Sequence, residues 1–207
     1  MSLNAICEES ERLAAKLNEI LNLTLFDNSK RIRVSGVACS MSLEHWSAVR
    51  VLFGSGLLPS GLVVHRAQFE ALMRSVWLLY AASEDSISKL SSDLNLESEQ
   101  ATKNLPQVAE ILQDLATKAP PPAYDALLRF KTNSWKALNS YAHAGIHPLR
   151  RHEEGYPLHL LKDALRNANG LAVLSCMQAV VLAGRQPLQR RLLDIAAQHP
   201  NCMPPPL

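Results

Sequence analysis

An all-α helical bundle is the fold this chain predicts, on three observations. Apolar residues recur at helical spacing over several long segments, no segment alternates convincingly as a strand would, and only 8 glycines punctuate 207 residues. With 47% hydrophobic and 19% charged residues, this length buries one sizeable core. A single domain over residues 1–199 is therefore expected, followed by a tail at 200–207 that lacks order. No repeat of solenoid length is visible.

The elements follow in order. Ile6, Leu13, Leu17, Ile20 and Leu21 share one face of a helix from about Leu3 to Leu25, with Glu8, Glu9 and Glu11 near its start. "FDNSKRIRVSG" reads as a connector holding Arg31, Arg33 and Val34, and a second helix starts near Ser42 and stops at Gly54. The third, about Ser60 to Ala82, is apolar nearly all round and is expected to be the most buried. A polar helix from Glu84 to about Glu97 precedes a soft stretch, and another runs from about Pro106 to Lys118. "APPPAYD" breaks the chain before a long helix that begins around Ala123 and ends near Ala144 and Gly145. A basic loop, in which His147 before Pro148 reads as a turn residue, leads to a long apolar helix over about Leu158 to Gly184. A last amphipathic helix begins near Pro187. Trp46, Trp77 and Trp135 fall at core-facing spacing, which favours packing over base stacking.

Charge and motifs narrow the function. The net charge of +2, from 21 basic and 19 acidic residues, creates no global field, so an anionic partner has to use a local patch. Cys7, Cys39, Cys176 and Cys202 stand apart without a C-x-x-C pair, which argues against a zinc site or a disulfide framework and fits a reducing cytoplasm. An acidic N-terminus and apolar runs shorter than a bilayer span give no signal peptide and no membrane partner. Phosphate-loop, dinucleotide, nucleophile-elbow and zinc-protease motifs are all absent, and neither a metal nor another cofactor is expected.

Two places remain where chemistry can sit. On the third helix Arg66, Glu70 and Arg74 form an i, i+4, i+8 line. Buried charges are costly unless paired, so the line is either a structural ion ladder or a site that holds an anion on its arginines. In "NSYAHAGIHPLRRH", the spacing of Lys136, Asn139 and His143 gathers them on one helical flank. A neutral histidine can take a proton from a ribose hydroxyl while a cation steadies charge on the phosphate, as a metal-independent ribonuclease would require. The competing reading has Asn139 and His143 only hydrogen-bonding neighbours or closing the helix end. Arg150 and Arg151 add either a cationic rim or a solvated pair with Glu153 and Glu154.

"LNSYAH" resembles the motif of the all-helical HEPN ribonuclease and nucleotide-binding domains, an arginine followed by a polar residue and a histidine. Asn139 and His143 match the last two, while Leu138 stands in the arginine's place. Lys136, separated from His143 by six residues, fits the looser spacing but lacks the bidentate grip of a guanidinium. "HRAQFEALMRSVWLLY", "WKALNSYAHAGIHPLRRH" and "LKDALRNANGLAVLS" together are similar to a group of small bacterial helical proteins of unassigned function with a HEPN-like layout. That resemblance implies an up-and-down core with extra short helices. It also implies a pocket in which Arg66, Glu70 and Arg74 meet the turn from Tyr141 to Gly145. Expected partners are RNA or a phosphate-bearing ligand, bound through Arg66, Glu70, Arg74, Tyr141, Arg150 and Arg151, with His143 as base. The alternative from another class is a non-catalytic homodimeric or partner-binding bundle whose charged line is structural.

Overall fold

The computed structural model describes residues 2–205 and contains ten α-helices and, among the described residues, no strand. In chain order they are α1 (Leu3–Asn18), α2 (Lys30–Gly54), α3 (Leu58–Tyr80), α4 (Glu84–Leu90), α5 (Leu96–Ala101), α6 (Val108–Lys118), α7 (Pro121–Ala142), α8 (Ile146–Glu154), α9 (Leu158–Leu182) and α10 (Leu188–Gln198). The predicted all-α bundle is thus the observed one. Among the described residues no helix is long and apolar enough to cross a membrane.

The core is built on α2, α3, α7 and α9. α2 and α3 form a hairpin over a short turn in which Gly56 takes φ 74°, a left-handed conformation that costs glycine nothing. α9 packs against both, α7 covers another side of α3, and α1 and α10 cover α9. α3 and α9 are the most buried helices, α3 contributing Phe69, Leu72, Met73 and Trp77, as its all-round apolarity predicts. Trp46 and Trp77 are buried, their indole N–H groups donating to Asn169 and Asp114 at 2.8 and 2.9 Å. These two tryptophans pack the core as expected, while Trp135 is half-buried against it.

The expected connector before Ser42 is instead the first three turns of α2. Ser29 caps it by accepting from the Ile32 N–H, and Arg31 donates to the carbonyls of Leu78 and Ala82 at the end of α3. The buried face here consists of Ser35, Ala38, Cys39 and Ser42, while Val37 and Met41 face out. Small residues let the helices approach closely. Ser35 and Ser75 donate to one another's carbonyls at 2.8 Å, Ser42 donates to Gln68 O at 3.0 Å, and Cys39 donates to Ser175 O at 3.2 Å. Satisfied in this way, buried hydroxyls cost little.

Four other expectations are corrected. The first helix ends at Asn18 rather than near Leu25, although Ile20 beyond it is still buried. The polar helix ends at Leu90, and α5 starts afresh from a reciprocal cap between Asn95 and Ser98. The basic loop is the helix α8: Pro148 occupies its first turn, where no N–H is needed, so the residue does not break it. The tail is packed at least in part: Pro200–Cys202 forms a 3-10 turn, Cys202 is buried, and its carbonyl accepts from Asn169 at 2.8 Å. Residues 206 and 207 of the expected tail lie outside the described residues.

His65 is fully buried between Gln68 and the edge of Phe130, and burial pushes its pKa from 6.5 down to about 4. The unfolded chain therefore binds this proton near pH 6.5 and the folded one only near pH 4. Its contribution is fully present above about pH 6.5 and is lost as the pH falls toward 4. We expect urea unfolding to show a loss on the order of 2–3 kcal/mol across that window, with His65→Gln removing that part of the slope.

Candidate functional site

α7 ends at His143, and the way it ends fixes where the candidate base points. Ala144 takes φ 48° and the Gly145 N–H donates back to Ser140 O at 2.8 Å, a Schellman closure. A Cβ on Gly145 would lie 2.5 Å from Ser140 Oγ, so no larger residue fits without a shift. That same Oγ accepts from the His147 N–H at 3.2 Å and starts α8. Both His143 and Lys136 are exposed, and Asn139 is half-buried beside them. None of the three side chains makes a hydrogen bond within the described residues, so nothing orients the imidazole.

Leu138, in the position an arginine holds in the HEPN motif, is buried in the face of α7 that packs on the core. Tyr141 is buried too, against His147 and Tyr156. Among the described residues neither its hydroxyl nor that of Tyr156 finds a partner, and burial, then the neighbouring Tyr156, pushes the Tyr141 phenol up to about 12. It stays a neutral phenol at the floor of the α7–α8 junction. Arg150 pairs with Glu153 at 2.9 Å and with Glu154, as a solvated helical pair would. Arg151, half-buried near Tyr141, makes no ion pair among the described residues.

The α3 line is occupied by its own surroundings. Arg66 donates to Glu70 at 3.0 Å and lies over the Trp135 ring at 4.8 Å. Arg74 donates to Pro106 O at 3.1 Å beside Trp77, and burial lowers its pKa, with Glu70 opposing. Arg66 Nε and Arg74 Nη1 are buried without a partner among the described residues.

The expected meeting of this line with the Tyr141–Gly145 turn does not occur. α3 and α7 run antiparallel, since Phe69 stacks on Phe130 and Arg66 on Trp135, while Val76 and Tyr80 border a cleft with Ala123 and Pro120. At 1.5 Å per residue, His143 lies about 12 Å along α7 beyond Trp135, and Arg74 lies about 12 Å the other way from Arg66. No hydrogen bond or ion pair joins the two groups among the described residues. The structure therefore gathers Lys136, Asn139 and His143 at one end and ties Arg66, Glu70 and Arg74 along the middle of the bundle.

Sequence reasoning missed Tyr156 and, in the cleft between α3, α7 and α9, Tyr80 and Gln178. Gln178 left a signal, a lone amide in the otherwise apolar "LSCMQAVVLAG". Among the described residues no group of three His, Cys, Asp or Glu side chains is placed to hold a metal ion.

Comparison with known proteins adds a family. A family profile matches residues 39–205, from the middle of α2 past the last helix. No curated protein and no solved structure matches the chain. As that match covers most of its length, the protein belongs to a family of unknown function, DUF6988.

Proposed function

We propose that this chain acts by binding rather than by catalysis, as a helical ligand- or partner-binding protein in which the α3 charges tie the bundle together. One observation carries this reading: Arg66 is clasped between Glu70 and Trp135 while His143 stands alone at an exposed helix end. A general base needs an orienting partner and a cation beside the reacting phosphate; among the described residues the His143 side chain has no hydrogen-bond partner, and Lys136 on its flank stands about 10 Å away along the helix axis. The buried Leu138 supports the same view, because an arginine there would point into the core. The three sequence blocks keep a HEPN-like layout in our reading, as a degenerate member without the nuclease constellation.

RNA or a phosphate-bearing ligand is the second reading, favoured by Lys136, His143 and Arg151, which make no ion pairs along the outer edge of α7 and α8. A homodimer would bring a second copy of that edge and would cover Ile146 and Leu149, exposed at 71% and 64%. Incubation of labelled RNA with wild type and His143→Ala separates the readings. We expect no His143-dependent cleavage, and Arg66→Ala to lower stability by about 1 kcal/mol while His143→Ala stays within about 0.5 kcal/mol. Cleavage abolished by His143→Ala would overturn the binding reading.

A further inference from the structure

We infer that the cleft between α3, α7 and α9 is a binding site for a small, neutral, largely apolar molecule carrying one hydrogen-bond donor. This names a ligand class for the binding function proposed above and rests on that reading. The cleft has a volume of about 380 Å³, within the range of small-molecule sites. Leu72, Val76, Leu127 and Met177 line it, Gln186 and Gln189 stand at its solvent side, and among the described residues no charged side chain lines it. An ion entering would give up water and find no counter-charge, so neutrality is the first requirement of the ligand.

Of the three glutamines at the cleft only Gln178 is buried, and the polar requirement comes from it. It is 6% exposed, yet it borders the cleft. Its Nε2 reaches Ser35 Oγ, Ser75 O and Ser75 Oγ at 3.3–3.4 Å. The Ser75 carbonyl only accepts, so the amide must turn its NH2 toward the serines and leave Oε1 for the cleft. Among the described residues Oε1 accepts no hydrogen bond, and Gln178 is one of the residues that line the cleft. An acceptor so deeply placed and without a partner selects a ligand N–H or O–H. Tyr80 stands at the same cleft as a neutral phenol, its pKa raised by burial, and its hydroxyl has no partner among the described residues. The cleft exists because α7 leans on α3 and α6 while leaving the α9 side open.

Indole and 1-methylindole are suitable probes, since a methyl group replaces the N–H hydrogen and the rest of the molecule is unchanged. Titrated into isotope-labelled protein, indole is expected to shift the Met177 methyl and Gln178 side-chain amide signals with a Kd of about 1 mM, and 1-methylindole to bind about tenfold more weakly. Gln178→Leu should bring the two ligands level, and Met177→Trp, at a half-exposed position, should abolish binding of both. The absence of shifts in the wild type, equal binding of the two probes, or shifts that survive Met177→Trp would overturn the site. Those results leave the non-catalytic reading standing, whereas His143-dependent RNA cleavage would sink that reading and leave the indole result intact.

Discussion

Phe69→Ala is expected to lower the unfolding free energy by about 3–5 kcal/mol, a large fraction of the roughly 5–15 kcal/mol that holds an ordinary domain folded. Phe69 is fully buried at the centre of α3, stacked on Phe130 at 4.5 Å and tilted against Trp135 at 5.8 Å. Truncation removes the transfer energy of a whole ring and leaves a cavity between two long helices that cannot collapse onto each other. The effect also reaches the charged line, because Trp135 is the surface on which Arg66 lies. Urea unfolding measures the loss; a change below about 1 kcal/mol would show that α3 and α7 are not packed through this ring.

Asn169→Ala is the second large effect, at about 3 kcal/mol, and it works by a different mechanism. The side chain accepts from Trp46 Nε1 at 2.8 Å and donates to Ser10 Oγ and Cys202 O, each at 2.8 Å. One amide thus joins α1, α2, α9 and the C-terminal turn. Its removal leaves a buried indole N–H and a buried carbonyl unpaired, and each costs about 1–3 kcal/mol. Hydrogen exchange distinguishes this from a simple cavity: residues around Cys202 should lose protection ahead of the α3–α7 contact. Unchanged protection there would contradict the anchoring role.

The long helices were legible because their buried faces are large and apolar. α3 and α9 are the clearest cases, and the burial of Phe69, Leu72, Trp77, Leu165 and Leu171 follows from their spacing. α2 shows why the reading failed elsewhere. Its first turns present Ser35, Ala38, Cys39 and Ser42 to the core and Val37 and Met41 to the outside, so hydrophobic periodicity points the wrong way. Serine hydroxyls become core residues only once another helix supplies their partners. α8 was hidden for a local reason, since a His-Pro pair reads as a turn unless the proline falls in the first turn of a helix.

Half of the site reasoning was decided by register. Spacing along one helix puts Lys136 and Asn139 on α7 with His143 at its C-cap, and draws Arg66 and Glu70 together at 3.0 Å. Whether the two groups meet depends on the direction and offset of α7 against α3, which a single sequence does not carry.

The sequence by itself determined the fold class, the central role of α3, the core positions of Trp46 and Trp77, and the internal pairing open to the α3 charges. These properties are local, set by which side chains lie three or four residues apart. Tertiary packing settles that α7 runs antiparallel to α3, carrying His143 away from Arg74, and that Gln178 lines a cleft with its carbonyl oxygen unpaired among the described residues. The physical reason is that packing between helices fixes offsets over many residues, and an offset of two turns separates or assembles a site without altering either helix.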